Sequence, residues 1–263
     1  MKKHLILSVI VLLTAVSAAF PNTLTFKVNY FIPRMEYNQP NYDFLRTEFA
    51  QMDFTRNKFQ DTSFGVFFEY FLNQQFSLVI GVDTYSKSKA GYYKGYVGYQ
   101  LDEGDFAFPS DAYYGDFTPG HTLDVSITPI QLSFKVAPLG RRAKIIPYFG
   151  GGVSMVLWSL RMRGEMIDFS EPWVYSDPDY GDVDIYPIVS VDAMEGEDFG
   201  KISFGYQLFG GVMFPIGNRL TMDAEFKYFH ATGKLIKNFT GFEPNNYFDL
   251  GGYQISIGIN YWF

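Results

Sequence analysis

Apolar and polar positions alternate with a period of two along much of this chain, in separate runs divided by turn residues. The clearest run is the last. From Tyr253 every second residue is large and apolar (Tyr253, Ile255, Ile257, Ile259, Tyr261, Phe263), and Gln254, Ser256, Gly258, Asn260 and Trp262 lie between them. Side chains alternate across a strand, so one face is greasy and the other mostly small or polar. Soluble sheets rarely place such a strand at a fraying terminus. A barrel closed inside a membrane requires it, because the last strand pairs with the first and leaves no open edge.

Seven further runs precede it: Thr23–Ile32, Thr62–Leu72, Phe76–Ser86, His121–Val136, Ile145–Arg161, Lys201–Phe214 and Arg219–His230. In the first, Leu24, Phe26, Val28, Tyr30 and Ile32 share a face. In His121–Val136 the apolar positions slip from Leu123, Val125 and Ile127 to Ile130, Leu132, Phe134 and Val136. The slip falls at Thr128-Pro129, and proline cannot donate to a ladder, so a β-bulge is predicted there. Connections 73–75, 137–144 and 215–218 are short, whereas 33–60, 89–120, 162–200 and 232–249 are long. Short periplasmic turns alternating with long outer loops, with both termini inside, are the rhythm of an even-stranded outer-membrane barrel. The expected fold is all-β: a closed antiparallel eight-stranded transmembrane β-barrel with long extracellular loops.

Composition agrees. Phe 28, Tyr 20 and Gly 25 in 263 residues are high values, and aromatic girdles and close-packed strands use them. Lys2 and Lys3 precede the apolar run Leu5–Leu13 and the small residues Val16-Ser17-Ala18 or Ser17-Ala18-Ala19. That is the layout of a cleaved secretory signal over residues 1–19, which leaves 20–263 as the barrel domain. The chain has no cysteine, so neither disulfides nor a lipid-bearing cysteine enter the account. A net charge of −7 makes nucleic acid an unfit partner.

Ser256, Gly258, Tyr261 and Phe263 match the pattern polar-x-Gly-x-x-aromatic-x-aromatic and resemble the C-terminal assembly signal of bacterial outer-membrane barrels. Tyr148-Phe-Gly-Gly-Gly-Val153 is similar to the Tyr-x-Gly-x-Gly stretch of small OmpA- and OmpW-type barrels. The resemblance covers the mature chain but not the peptidoglycan-binding module of larger OmpA-type proteins. It implies a Gram-negative outer membrane, outer-membrane lipids and the barrel assembly machinery as partners, and a monomer. It leaves open a structural or surface-interaction role and a porin-like or OmpW-like passage for small or hydrophobic solutes.

With the greasy face toward lipid, the lumen receives Lys27, Glu69, Asp83, Lys135, Asp223, Glu225 and Lys227. An eight-stranded interior is only wide enough for side chains, so these charges must pair or meet water. They form either a structural polar core or a gated conduit. Outside, 162–200 carries eleven carboxylates and no Lys or Arg after Arg163, interleaved with Trp173, Tyr175, Tyr180 and Tyr186. Hard cations take carboxylate oxygens, so Asp177, Asp179, Asp182 and Asp184 are the candidate calcium or magnesium ligands, although their spacing is not that of an EF-hand. The alternative is a solvated loop. No other cofactor is indicated. The mature histidines, His121 and His230, have no nucleophile at a telling spacing, with Ser126 and Thr232 only near in sequence, and an enzyme is not expected. Tyr42, Leu45, Phe49 and Met52 predict a short amphipathic helix that caps the mouth or lies on the outer leaflet, or an ordered aromatic loop.

Overall fold

The computed structural model describes residues 22–36, 38, 42–170, 172–190, 202–235 and 247–263; the expected signal segment, 1–19, lies outside them. Eight strands make the barrel: β1 (Asn22–Pro33), β2 (Asp61–Phe71), β3 (Phe76–Tyr92), β6 (Gly120–Val136), β7 (Ile146–Ile167), β10 (Ile202–Pro215), β11 (Leu220–Lys234) and β13 (Gly252–Trp262). Each pairs antiparallel with its neighbours, β7 with β10 and β13 with β1, so the sheet closes. Closure satisfies the backbone without water, which a hydrocarbon environment demands. Between β3 and β6 lie β4 (Tyr96–Leu101) and β5 (Gly104–Pro109); β8 (Trp173–Asp177) and β9 (Gly181–Ser190) follow β7, and β12 (Tyr247–Asp249) precedes β13.

The long outer connections are present, and much of 89–120 and 162–190 within them is strand. β3 and β7 run on well past Ser86 and Arg161, and β9 pairs with β7 (Met166↔Val189) and with β5 (Ala107↔Tyr186). The barrel wall thus continues outward as a sheet. The bulge expected at Pro129 is absent. β3 and β6 keep one register across it, from Val82↔Ile130 to Tyr85↔Ile127, and β6 and β7 pair without a break through Thr128↔Leu157, Pro129↔Val156 and Ile130↔Met155.

The slip in the apolar pattern has another cause. Leu123, Val125 and Ile127 point into the barrel and are buried, whereas Leu132 and Phe134 point out and are exposed. The dry side of the wall changes. In the half nearer the short turns, apolar side chains belong outside, against lipid; Val153 and Ile257 there are 63% and 62% exposed. Farther out the surroundings are aqueous, the outward positions of β6 are Thr122, Asp124 and Ser126, and the interior is the dry place. Residues with the same preference therefore change face along one regular strand.

The outer half has a conventional core, in which Phe31, Tyr85, Leu123, Val156, Trp158 and Leu160 are joined by residues of the first long connection. Helix α1 (Asp43–Gln51) lies across the mouth with Leu45 buried, followed by buried Met52, Phe54 and Phe59. Of the alternatives for this segment, the cap is the one observed. Amides pin it: Met52 N donates to Glu48 O at 2.9 Å, Asp53 N to Tyr92 O at 3.0 Å, and Lys94 N to Gln51 O at 2.8 Å. Glu48 also meets His121 Nε2 at 2.8 Å, both side chains being buried.

Candidate functional site

The interior of the membrane half is organised around one row of side chains across five strands. Register places Asp83 (β3) beside Gly65 (β2), Gly65 beside Lys27 (β1), Lys27 beside Gly258 (β13), and Gly258 beside Asp223 (β11). Charges of alternating sign are separated by glycines. A Cβ on Gly65 would lie 2.2 Å from Asp83 Oδ1, and one on Gly258 would lie 2.2 Å from Asp223 Oδ1. The glycines are therefore the room into which the neighbouring charged side chains lean.

All seven charged residues assigned to the lumen from sequence point into it, buried and engaged. Lys27 Nζ meets Glu225 Oε2 at 2.7 Å and Asp223 Oδ2 at 3.4 Å; Lys227 Nζ meets Asp83 Oδ2 at 2.9 Å; Lys135 Nζ meets Glu69 Oε2 at 2.8 Å. Residues the sequence did not single out complete the network. Arg141, from the turn after β6, donates to Glu69 Oε1 at 3.0 Å. Tyr148 OH donates to Asp223 Oδ2 at 2.8 Å and lies 3.0 Å from Glu225 Oε2. Gln131 and Asn29 donate to the two oxygens of Asp83 at 2.6 and 3.0 Å. The Phe67 ring sits under both Lys27 and Lys227, 5.1 and 4.7 Å from its centroid. For Tyr148, Gln131, Asn29 and Phe67 the signal was inward phase on the strands, but neutral residues carry no charge-balance argument, so they passed unnoticed; Arg141 is charged but reaches in from a turn, where strand phase says nothing.

Four cations (Lys27, Lys135, Lys227, Arg141) meet four anions (Glu69, Asp83, Asp223, Glu225), so the layer is neutral. Removing such charges from water is costly unless every one is paired and hydrogen-bonded, and here each has at least one ionic partner. The space left among them is a void of about 20 Å³, room for a single water. Toward the short turns the lumen is stoppered by Trp262, whose Nε1 donates to Thr221 Oγ1 at 3.1 Å, and by Phe71, 5.2 Å from it ring to ring and covered by Arg141. Of the assembly motif, Ser256 and Gly258 face the lumen, while Tyr261 and Phe263 face outward with their rings edge to face at 5.2 Å.

At the outer rim Arg34 grips Asp249 with two bonds, Nε to Oδ2 at 2.8 Å and Nη2 to Oδ1 at 2.9 Å. Arg34 Nη2 also reaches His230 Nδ1 at 3.0 Å; a guanidinium only donates, so that nitrogen accepts. His121 faces inward to Glu48, and Ser126 is on the opposite face of β6. Among the described residues, the side-chain partners of these two histidines are Arg34 and Glu48, not a hydroxyl nucleophile.

Beyond the rim, β4, β5, β8 and β9 enclose a second small core of Phe106, Phe108 and Ile185, with Val97, Tyr99, Tyr113 and Val183 against it. Trp173 packs on Phe106 at 5.1 Å and Tyr175 on Phe108 at 5.4 Å. The hairpin does not gather the four aspartates expected as cation ligands. Asp177 closes the turn, accepting from the amides of Asp179 at 2.8 Å and Tyr180 at 3.0 Å and from Tyr113 OH at 3.0 Å. Asp182 accepts from Ser176 Oγ at 2.8 Å, and Asp184 stands beside Val174. Among the described residues no three acidic or histidine side chains come close enough to hold a metal ion. Asp192, Glu195, Glu197 and Asp198 lie outside those residues, as does Glu171. The amide bonds to Asp177 hold its carboxyl below the usual carboxylate range, and the Tyr113 hydroxyl is pushed up to about 12 by desolvation and by Asp177.

No family model and no curated protein matches this chain. Solved structures do. Neisserial surface protein A matches at 12% identity over 92% of this chain and 97% of that one, with a TM-score of 0.48. The outer-membrane protein OprG of Pseudomonas aeruginosa matches at 14% identity over 93% and 96%, with a TM-score of 0.47. Outer membrane protein W of E. coli matches at 13% identity over 93% and 100%, with a TM-score of 0.42. These are small outer-membrane barrels, and the likeness concerns fold alone.

Proposed function

We propose that this protein is a monomeric, non-conducting outer-membrane barrel, exported behind a cleaved signal, inserted by the assembly machinery and held among outer-membrane lipids, whose role is structural and surface-directed. It serves as a rigid stand for the acidic, aromatic sheet β4–β5–β8–β9. The observation that carries this reading is closure in series: a neutral ion-pair layer fills the membrane half, and an aromatic core with α1 across it fills the outer half. A solute would have to displace both. The bulge that would have marked a side opening is not there: β3 and β6 hold one register on both sides of Pro129, and only the pairs of Asp83 and Thr84 with Pro129 and Thr128 lapse. Among the described residues no nucleophile is joined to either histidine, and we read the protein as a binding protein rather than an enzyme.

Conductance decides the matter. The refolded protein in a planar bilayer is expected to give no discrete current steps under salt and voltage that open a control porin. Reproducible unitary steps would overturn the reading in favour of a porin-like channel.

A further inference from the structure

The outer sheet has two lateral edges of different character. The β4 edge is occupied: Gly98 N donates to Phe117 O at 2.8 Å, and Asp116 N donates to Gly98 O at 2.7 Å. The β8 edge is not. Trp173–Asp177 pairs with β9 on one side and, among the described residues, with no strand on the other. Proteins shield such edges by keeping them short or with charged residues, proline or a bulge; β8 is short, five residues ending on Asp177. From Trp173 to Ser176 there is no charge, proline or bulge; Pro172 and Pro178 set the length of the open segment.

The two faces beside that edge differ. On one, Trp173 and Tyr175 form an aromatic shelf backed by Phe106 and Phe108. On the other, Val174, 66% exposed, and Ser176 lie beside Asp184 and Asp182. No Lys or Arg occurs between Arg163 and Lys201 to neutralise them. A strand added to β8 would place alternate side chains on alternate faces. Those on the first meet aromatic rings; those on the second reach over Val174 and Ser176 toward carboxylates.

The geometry points to β8 as a docking edge for an extended segment of another protein in which Lys or Arg alternates with aliphatic or aromatic residues, added as a further strand of the outer sheet. The inference rests on the surface-directed role proposed above and supplies the class of partner. A second copy of this chain is a poor occupant, since Asp177, Asp179, Asp182 and Asp184 would confront their own counterparts.

The test uses the full chain in nanodiscs of zwitterionic lipid, with empty nanodiscs as control, and fluorescent capped peptides of alternating Lys and Val. The Lys-Val peptide is expected to bind. Alternating Glu and Val in its place, or N-methylating the backbone on one edge of the Lys-Val peptide, is expected to weaken binding by roughly tenfold or more. Val174→Lys should do the same, and Asp182→Asn with Asp184→Asn should remove the preference for Lys over Glu, all with unchanged heat-modifiable gel mobility. Equal binding to empty nanodiscs, equal affinity for the N-methylated peptide, or no binding at all would overturn the inference. In the absence of conductance, any of those results leaves the closed, surface-directed reading standing; unitary currents would remove that reading whatever the peptides do.

Discussion

Along β6, Ile130, Leu132 and Phe134 face outward while Gln131, Ser133 and Lys135 face into the lumen; farther along, Leu123, Val125 and Ile127 face in, and Thr122, Asp124 and Ser126 face out. The membrane half and the outer half share strands, pairing and twist, yet each is the other turned inside out. In the first, lipid takes the apolar surface and the interior must be satisfied by ion pairs. In the second, water takes the polar surface and the interior is packed as in a soluble protein. The comparison shows that a strand can cross a change of solvent without a shift of register, its ladder to β3 lapsing only at Thr128 and Pro129 while that to β7 continues. The boundary lies near Asp83 and Pro129, where a small pocket is lined by Asp83 and Gln254 together with Phe31, Tyr85 and Ile127.

The sharpest way to break the membrane half is to strand one charge. Asp83→Leu leaves Lys227 without its carboxylate, and a loss of about 3–5 kcal/mol is expected in urea unfolding from vesicles. Adding Lys227→Met should recover most of it; a loss under about 1 kcal/mol for the single change would mean that water bathes the layer. In the outer half the matching lesion is a cavity. Leu160→Ala is expected to cost about 2–5 kcal/mol there. It should expose β8, β9 and α1 to protease while the barrel band keeps its heat-modifiable shift, and simultaneous loss of both would show that the halves unfold as one.

The outward surface offers a paired contrast. Lysine at Ile257, in the lipid-facing belt, should destabilise by about 2–4 kcal/mol, whereas lysine at Ser126 should cost close to nothing. Equal costs would move the bilayer boundary from where the side chains put it. A smaller effect concerns the hairpin tip. Asp177 is held below its ordinary range, so its contribution is present above that range and fades as pH falls through its depressed value. Amide exchange at Asp179 and Tyr180 should therefore quicken, relative to its intrinsic rate, as the solution is acidified below pH about 4. Exchange protection that stays flat there would assign the tip's order to the sheet alone.

Much of the barrel was legible because lipid imposes period two on one face, and the strands from Thr23–Ile32 to the last run follow it. The same rule misled at Thr128-Pro129. A step in the apolar pattern reads as an inserted residue only if the solvent is constant along the strand, and here it is not. The seven lumen charges stood out by phase and type, since a charged residue on a lipid-opposed face has few places to go. Arg141 did not, because it reaches in from a turn, and Tyr148 was absorbed in a glycine motif. The sheet character of 162–190 was hidden by its aspartates, which disfavour strands in general but here sit at turns and on the exposed face.

The row Asp83–Gly65–Lys27–Gly258–Asp223 crosses the seam where the two ends of the chain meet. Lys27 from the first strand is neutralised by Glu225 and Asp223 from β11, and Lys227 from β11 by Asp83 from β3. Until the circle is complete, Lys27 and Asp83 on the early strands therefore lack their ionic partners, and so do Asp223, Glu225 and Lys227 on β11. Opening the seam breaks both sets of contacts along with the backbone ladder of β1 and β13. The join between β1 and β13 is thus electrostatically keyed: a first strand offered in a shifted register would bring Lys27 to the wrong rung and leave Lys27, Asp223 and Glu225 in the interior without their ion pairs.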